Sequence, residues 1–150
     1  MKIDQKGIDL ITKWEGLRLN PYLCSANVPT IGYGSTFYEN GKRVKITDDP
    51  ITKERAEQLF KKTLISYENA VNALLGTKTV TQNQYNALVS FAYNLGSAAL
   101  KSSMLMKKVL ANPNDQTIEK EFNKWVNAGG KRVQGLVERR DDEVKMYFSK

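Results

Sequence analysis

The sequence contains no histidine and only one cysteine among its 150 residues. Without histidine, the commonest general base and the commonest zinc ligand are both missing. A single cysteine excludes an intrachain disulfide, so the fold does not depend on an oxidising compartment, and Cys24 is predicted to be a free thiol. Any chemistry must use carboxylates, this thiol, hydroxyl groups or cations. We therefore expect no metal and no organic cofactor.

Long apolar runs are missing as well. The N-terminal residues, from Met1 to Gly7, lead directly into an amphipathic pattern and contain neither a signal-peptide apolar run nor a membrane-spanning stretch. We therefore expect a protein made in the cytoplasm and not inserted into a membrane. With 41% hydrophobic residues, a chain of this length can bury its own core, which predicts a single domain, organised as two lobes.

Positive charge is in excess, because 23 Lys and Arg residues stand against 16 Asp and Glu residues, a net charge of +7. Nucleic acid, anionic lipid and bacterial wall polymer are all possible partners of such a chain. Near the C-terminus, however, basic and acidic residues alternate, and helical pairing such as Asp141 with Lys145 explains that pattern. The basic residues there are Lys131, Arg132, Arg139, Arg140 and Lys145. We predict no nucleic-acid partner.

The spacing of apolar residues predicts a mainly helical chain. Asp4 can cap a first helix over residues 4–15, and Gly16 is placed to end it. Residues 53–75 carry their apolar side chains on one helical face and predict a helix of roughly 35 Å at 1.5 Å per residue. The next helix opens with a capping box between Thr81 and Gln84 and closes at Gly96. Three shorter helices are predicted at about residues 103–110, 115–126 and 134–148.

Between the first two helices, the pattern becomes β-like and glycine-rich. Residues 30–36 favour a strand, and Asn40 with Gly41 favours a tight hairpin turn. The fold class predicted is α+β, predominantly helical, with a small N-terminal antiparallel sheet lobe and a C-terminal helical lobe joined by a long helix. The expected ranges are about 14–52 for the sheet lobe, 53–75 for the connecting helix and 76–150 for the helical lobe, on which helix 4–15 would pack. A cleft between the lobes would hold a substrate.

Glu15 is the first candidate for catalysis. A carboxylate at a helix C-terminus faces the negative end of the helix dipole, which favours its protonated form, and Trp14 and Tyr22 could remove water from it. Such an acid can protonate a leaving oxygen in glycosidic bond cleavage. Taken alone, a glutamate before a glycine is more often a solvated helix end. The residues that follow it decide between these interpretations.

Cys24 and Thr30 are the next candidates. A thiol with an ordinary pKa near 8.5 is mostly neutral at pH 7, so Cys24 could act as a base or nucleophile only if partly ionised. The alternative is a small, buried, apolar cysteine. The hydroxyl of Thr30 could hold an attacking water, because it both donates and accepts hydrogen bonds. A threonine that opens a strand is nevertheless often structural.

The order of these residues resembles the phage-type lysozymes, glycoside hydrolase family 24. In that family a glutamate is followed nine residues later by aspartate or cysteine and six residues after that by threonine, ahead of a glycine-rich hairpin, and Glu15, Cys24 and Thr30 have these spacings. The resemblance covers nearly the whole chain, from Ile8 to Phe148. It is most specific over residues 84–96, 102–103, 125–132 and 135–140.

This resemblance implies an endolysin, a muramidase that hydrolyses the β-1,4 bond between N-acetylmuramic acid and N-acetylglucosamine in bacterial peptidoglycan. Glu15 would be the general acid, and Cys24 with Thr30 would flank the attacking water; a covalent route through Cys24 is the alternative. Substrate contacts are implied at Gly34, Thr36, Tyr93, Ser103, Asn127 and Arg132. By the same similarity, Arg132 would approach Glu15 and Asn127 would lie close to the cleft.

The resemblance also implies a biological setting. The partner would be the glycan strands of peptidoglycan. The positive charge of the protein would attract it to the anionic bacterial envelope. The protein would act as a monomer, made in the cytoplasm of the host bacterium and released onto the wall by a separate holin. Two rival functions stay open: a lytic transglycosylase that forms anhydro-muramyl ends, and a non-catalytic peptidoglycan-binding module in which Cys24 has replaced an aspartate.

Overall fold

The computed structural model describes residues 1–24 and 26–150. In this part of the chain there are seven α-helices and four short β-strands. In chain order they are α1 (Gln5–Glu15), β1 (Arg18–Leu23), β2 (Pro29–Gly32), α2 (Lys53–Leu75), α3 (Gln82–Leu95), α4 (Ser97–Ser102), α5 (Met104–Ala111), α6 (Ile118–Asn123), β3 (Asn127–Ala128), β4 (Lys131–Arg132) and α7 (Gln134–Phe148). Of the helices in the described residues, none is both long and apolar enough to cross a membrane.

The chain divides into two compact units. The small unit comprises residues 12–66, and the large unit comprises residues 1–11 and 67–150. The small unit contains the β1–β2 hairpin, and its core is formed by five buried apolar residues, Ile31, Val44, Ile51, Ala56 and Leu59. The large unit contains α3 to α7 and the short β3–β4 hairpin.

Strands β1 and β2 form an antiparallel hairpin with an irregular register. Tyr22 lies opposite Thr30, and Arg18 lies opposite Gly32, so four steps along β1 face only two steps along β2. Two extra residues are therefore accommodated in β1, as in a β-bulge. Pro21 lies in this segment, where its missing N–H removes no regular ladder bond.

A second turn in the small unit lies where the Asn-Gly pair predicts it. Phe37 bridges to Arg43, the Tyr38 N–H donates to the Lys42 carbonyl at 2.9 Å, and the Gly41 N–H donates to the Tyr38 carbonyl at 3.0 Å. Gly41 has φ +81°, a conformation that glycine adopts at little cost. The predicted hairpin turn at residues 40–41 is confirmed.

Helix α3 forms the centre of the large unit. All nine residues from Gln84 to Ala92 are buried, and the helix packs against α7 and α4. At its start the Gln84 N–H donates to Thr81 Oγ1 at 3.1 Å, while the Thr81 N–H donates to Gln84 Oε1 at 2.9 Å. These reciprocal bonds confirm the predicted capping box.

Other predicted boundaries also agree with the structure. Helices α2 and α7 have the predicted ranges, 53–75 and 134–148. The cap of α1 is confirmed by the Gly7 N–H, which donates to Asp4 Oδ1 at 3.2 Å. The helix predicted over 115–126 was too long, because the chain leaves α6 at Asn123 and enters the β3–β4 hairpin. That hairpin turns at two glycines of positive φ, Gly129 and Gly130.

The basic residues of α7 differ from the exposed pairing that the sequence suggested. Arg139 and Arg140 are only 4% and 0% exposed, and Glu143 is 0% exposed. The Arg140 Nε lies 2.7 Å from Glu143 Oε1, and the Arg139 Nε lies 3.7 Å from Glu143 Oε2. These two cations are therefore buried and are not part of an exposed basic surface.

Candidate active site

Glu15 is the last residue of α1, as predicted. The Gly16 N–H donates to the Thr12 carbonyl at 3.1 Å, and Gly16 then turns the chain out of the helix with φ +67°. Glu15 and its neighbour Trp14 are both half-buried. Glu15 is thus attached to a helix end and only partly shielded from solvent.

Cys24 lies in the tight loop between β1 and β2. Its N–H donates to the Val28 carbonyl at 3.1 Å, and its carbonyl accepts from the Asn27 N–H at 2.8 Å. Asn27 adopts φ +62°, in the left-handed region that asparagine tolerates well in turns. The loop holds a half-buried thiol at the end of the hairpin. The alternative of a fully buried, apolar cysteine does not apply.

The loop also changes the acidity of the Cys24 thiol. Hydrogen bonds from the backbone N–H groups of Val28 and Ala26, and then from the Thr30 hydroxyl, lower the pKa of Cys24 below its ordinary value. These donors stabilise the thiolate more than the neutral thiol. Cys24 is therefore ionised to a greater extent at neutral pH than a free cysteine, so a larger share of it is in the thiolate form that can act as a base or a nucleophile.

Thr30 faces the interior of the hairpin and is only 3% exposed. Its hydroxyl donates to the Val28 carbonyl at 2.8 Å, and the same hydroxyl bonds the Cys24 thiol. A threonine hydroxyl has one proton to share between these two acceptors. Thr30 is therefore placed to fix the loop and to stabilise the thiolate.

Tyr22 is near both Glu15 and Cys24. Burial raises the pKa of the Tyr22 phenol, the negative charges of Glu15 and Cys24 raise it further, and the positive charge of Arg18 lowers it. The Arg18 guanidinium carbon lies 4.5 Å from the centre of the Tyr22 ring. Sequence reasoning treated Tyr22 only as a residue that could shield Glu15 from water. Its spacing of two residues from Cys24, which brings both side chains to one face of an extended chain, was the signal that could have found it.

Gly34 and Thr36 follow β2 in the same unit. Ile31 and Ser35 exchange two backbone hydrogen bonds of 2.9 Å, which closes a turn that contains Gly34. Gly34 has φ +89° and is half-buried. The Thr36 carbonyl accepts from the Val44 N–H at 2.9 Å, and its side chain is half-buried. Both residues are therefore partly accessible from solvent.

The other predicted contact residues belong to the large unit. Tyr93 is half-buried, and its ring centre lies 5.1 Å from that of Tyr67. Asn127 and Arg132 lie opposite each other in the β3–β4 hairpin, and both are exposed. Ser103 is 4% exposed, because its hydroxyl caps α5 by accepting from the Met106 N–H at 3.0 Å and donating to the Leu100 carbonyl at 2.7 Å.

The chemical groups of the site suit proton transfer. In residues 1–24 and 26–150, no three His, Cys, Asp or Glu side chains lie together as a metal site would need. Around the β1–β2 hairpin, the small unit brings together the carboxyl of Glu15, the Cys24 thiol of lowered pKa and the phenol of Tyr22. An acid and a second group that acts as base or nucleophile are what glycosidic hydrolysis requires.

Known proteins share this sequence and fold. The sequence model of the family described as Phage lysozyme matches residues 12–143. The endolysin of Acyrthosiphon pisum secondary endosymbiont phage 1 is 39% identical over 99% of this chain and 99% of its own length. The endolysin of Bacillus phage B103 is 40% identical over 99% of this chain, but the chain spans only about half, 55%, of that relative.

A solved structure agrees with these similarities. The endolysin from Escherichia coli phage FAHEc1 is 37% identical and superposes with a TM-score of 0.88, over 99% of this chain and 94% of its own. The predicted α+β lysozyme-like fold is confirmed, and so is the prediction of a lysozyme-type hydrolase related to the endolysins. This chain belongs to the phage lysozyme family.

Proposed function

We propose that the protein is an endolysin that hydrolyses the β-1,4 bond between N-acetylmuramic acid and N-acetylglucosamine in peptidoglycan. The observation that carries this proposal is the electrostatic grouping of Glu15, Tyr22 and Cys24, with the Thr30 hydroxyl bonded to the thiol. Hydrolysis of a glycosidic bond requires an acid for the leaving oxygen and a base for water. Glu15 and Cys24 can supply these two functions in a chain of the phage lysozyme family.

In this mechanism Glu15 gives its proton to the glycosidic oxygen as the bond to the anomeric carbon breaks. The α1 helix fixes the backbone of Glu15, which limits the positions that its carboxyl must sample before the proton is transferred. Glu15 becomes a carboxylate, which stabilises the positive charge that develops on the sugar ring. A proton from solvent then restores the acid for the next cycle.

Cys24 would act as the base on the opposite face of the sugar. Its thiolate takes a proton from the attacking water as the oxygen of that water bonds the anomeric carbon. The lowered pKa of Cys24 raises the share of thiolate available at neutral pH. In enzymes of this inverting type the acid and the base stand roughly 6.5–9.5 Å apart, which leaves room for the water.

A covalent route is the alternative for the same residues. The Cys24 sulfur would attack the anomeric carbon, the glycosidic oxygen would leave with the proton from Glu15, and water would later hydrolyse the thioglycosyl bond. That route passes through two displacements and retains the anomeric configuration, whereas direct attack by water inverts it. The first-formed anomer therefore separates the two routes.

Several further points belong to this proposal. The glycan would contact Gly34, Thr36, Tyr93, Asn127 and Arg132, and Ser103 would contribute by fixing the start of α5. We also propose that the protein acts as a monomer and reaches the wall from the host cytoplasm after a holin has permeabilised the membrane.

The direct test is digestion of purified peptidoglycan, with the soluble fragments identified by mass spectrometry. Hydrated reducing ends at muramic acid are expected, and they should disappear with Glu15→Gln. Anhydro-muramyl ends would instead identify a lytic transglycosylase. Binding to the wall without release of fragments would identify a binding module. Nuclear magnetic resonance of the first product is expected to detect the inverted anomer.

A further inference from the structure

The β1–β2 hairpin carries a second hydroxyl that the family spacing leaves without a role. We propose that Tyr22 is a further catalytic residue of this site, whose phenol hydroxyl hydrogen-bonds the attacking water beside Cys24. Arg18 is its positioning residue, because its guanidinium lies over the ring of Tyr22. This inference rests on the proposed hydrolytic function and adds a named contact to it.

The register of the hairpin places the three side chains on one face. Residues that lie directly opposite each other in an antiparallel pair share a face, and Tyr22 lies opposite Thr30. Side chains alternate along a strand, so Cys24, two residues after Tyr22, returns to that same face. The Cys24 N–H still pairs with the Val28 carbonyl, which continues the ladder to this position. Tyr22, Cys24 and Thr30 are therefore neighbours.

The two hydroxyls on this face differ in availability. The Thr30 hydroxyl is buried and already bonds the Val28 carbonyl and the Cys24 thiol. Tyr22 is half-buried, and within residues 1–24 and 26–150 its hydroxyl has no hydrogen-bond partner in the protein. A hydroxyl that is partly shielded and unbonded at the edge of a site can bond water or a ligand. Tyr22, rather than Thr30, presents such a group.

The charges around Tyr22 fit this role. Glu15 and Cys24 both act on the phenol, and burial together with their negative charge keeps its pKa above the ordinary value of 10. The phenol therefore stays protonated at neutral pH and can donate one hydrogen bond while accepting another. A water next to Cys24 needs a second partner to fix its direction of attack, and the phenol can supply that bond.

The bulge in β1 explains how Arg18 reaches Tyr22. Four residues of regular strand span about 13 Å at 3.3 Å per residue. The register shift between Arg18 and Tyr22 shortens this path, and the Arg18 guanidinium carbon lies 4.5 Å from the ring centre. A cation over an aromatic face restricts the ring. Arg18 can therefore hold the phenol hydroxyl in one direction.

The test compares Tyr22→Phe with Tyr38→Phe in the full chain. Tyr38 is a matched control in the same unit, because its hydroxyl donates to Asp48 at 2.8 Å and has no proposed part in catalysis. On soluble, uncrosslinked glycan strands we expect Tyr22→Phe to lower kcat about tenfold with KM changed less than about twofold, as loss of one transition-state hydrogen bond predicts. Tyr38→Phe should keep the kcat of the unchanged protein.

Arg18 gives a second, independent measurement. Arg18→Met should lower kcat by about two- to threefold, and it should have no further effect in the Tyr22→Phe background, because Arg18 acts through that hydroxyl. Thermal unfolding followed by circular dichroism establishes that each variant is folded. Equal effects of Arg18→Met in both backgrounds would contradict the positioning role.

The remaining outcomes separate the two proposals. If Tyr22→Phe keeps full kcat while Glu15→Gln is inactive, the role of Tyr22 is wrong and the proposed hydrolysis stands. If Tyr22→Phe raises KM and leaves kcat unchanged, the hydroxyl contacts the sugar instead of the water, and the inference is overturned. If Glu15→Gln keeps full activity, the proposed function itself fails, whatever Tyr22→Phe does.

Discussion

The two units of this protein use buried polar groups in opposite ways. In the large unit, Arg140 is fully buried beside a carboxylate of opposite charge: Nε lies 2.7 Å from Glu143 Oε1, and Nη2 donates to Asn94 Oδ1 at 2.7 Å. Ser90 donates to the other oxygen of Glu143 at 2.5 Å. In the small unit, buried Thr30 bonds a thiol that remains half-exposed.

This difference separates a structural network from a reactive one. The Arg140–Glu143 network is enclosed by the protein, so it can hold α7 against α3 but cannot reach a ligand. The Thr30–Cys24 pair ends at a group that solvent can reach, and its hydrogen bonds change the pKa of that group. Polar groups of the first kind should matter for stability, and those of the second kind for activity.

Glu15→Gln should give the largest effect and tests the reactive side of this comparison. Glutamine keeps the shape of the side chain but cannot donate the proton, so we expect the rate of wall hydrolysis to fall about 1,000-fold, within the usual range for a general acid. The release of reducing ends measures this rate. Urea unfolding should detect little change in stability. If Glu15→Gln also lowers stability strongly, the polar groups of the two units do not divide into structural and reactive ones.

Arg140→Met tests the structural side. Removing one member of a buried pair leaves Glu143 without its closest cation, so we expect the free energy of unfolding to fall by about 3–5 kcal/mol. Urea denaturation measures the change. The double variant Arg140→Met with Glu143→Leu should recover much of it, because both charges are then removed. If the double variant is as unstable as Arg140→Met, the hydrogen bonds of Arg140 to Asn94 and Trp125 contribute more to stability than its pairing with Glu143.

Cys24→Asp tests the proposed base through the dependence of rate on pH. The base works only when deprotonated, so the rate of the natural protein should rise with pH through the lowered pKa of Cys24. An aspartate has an ordinary pKa near 3.9, so the rising limb should move several pH units toward acid while activity is retained. Peptidoglycan hydrolysis measured from pH 4 to pH 9 checks this. If the rising part of the pH–rate profile is the same in Cys24→Asp as in the natural protein, Cys24 is not the base.

Thr81→Ala should have the smallest effect and provides the control for Thr30. Both hydroxyls bond backbone groups, but Thr81 only caps α3. Loss of this cap should lower the free energy of unfolding by about 1 kcal/mol and leave wall hydrolysis unchanged. Thr30→Val, by contrast, should raise the pKa of Cys24, which the pH dependence of thiol alkylation measures. An equal shift of the Cys24 pKa in Thr81→Ala and Thr30→Val would argue against a specific Thr30–Cys24 bond.

Much of the fold was predictable because local signals and tertiary structure agree. The ends of α2 and α7, the Thr81 capping box and the Asn40–Gly41 turn all follow from periodicity and turn chemistry. Strand β1 was missed, since Asn20 and Pro21 disfavour a regular strand and only the bulge accommodates them. Helix α4 was missed as well, because six residues carry too little periodicity.

The candidate site was predictable in part. Its members Glu15, Cys24 and Thr30 were predicted from their spacing, and their catalytic roles stay predictions. The inward direction of the Thr30 hydroxyl could not be read from the sequence, because it depends on the register of the hairpin. The burial of Arg139 and Arg140 was also hidden, since alternating charges on a helix usually indicate an exposed face.

The hairpin thiol also gives this protein a practical property. Cys24 is the only cysteine in the sequence, it is half-exposed, and its reactivity depends on donors that exist only when the hairpin is folded. A thiol reagent added in excess at mildly acidic pH should therefore react faster with folded molecules than with unfolded ones. The fast phase of that reaction counts the intact sites in a preparation, so activity can be expressed per working molecule instead of per milligram.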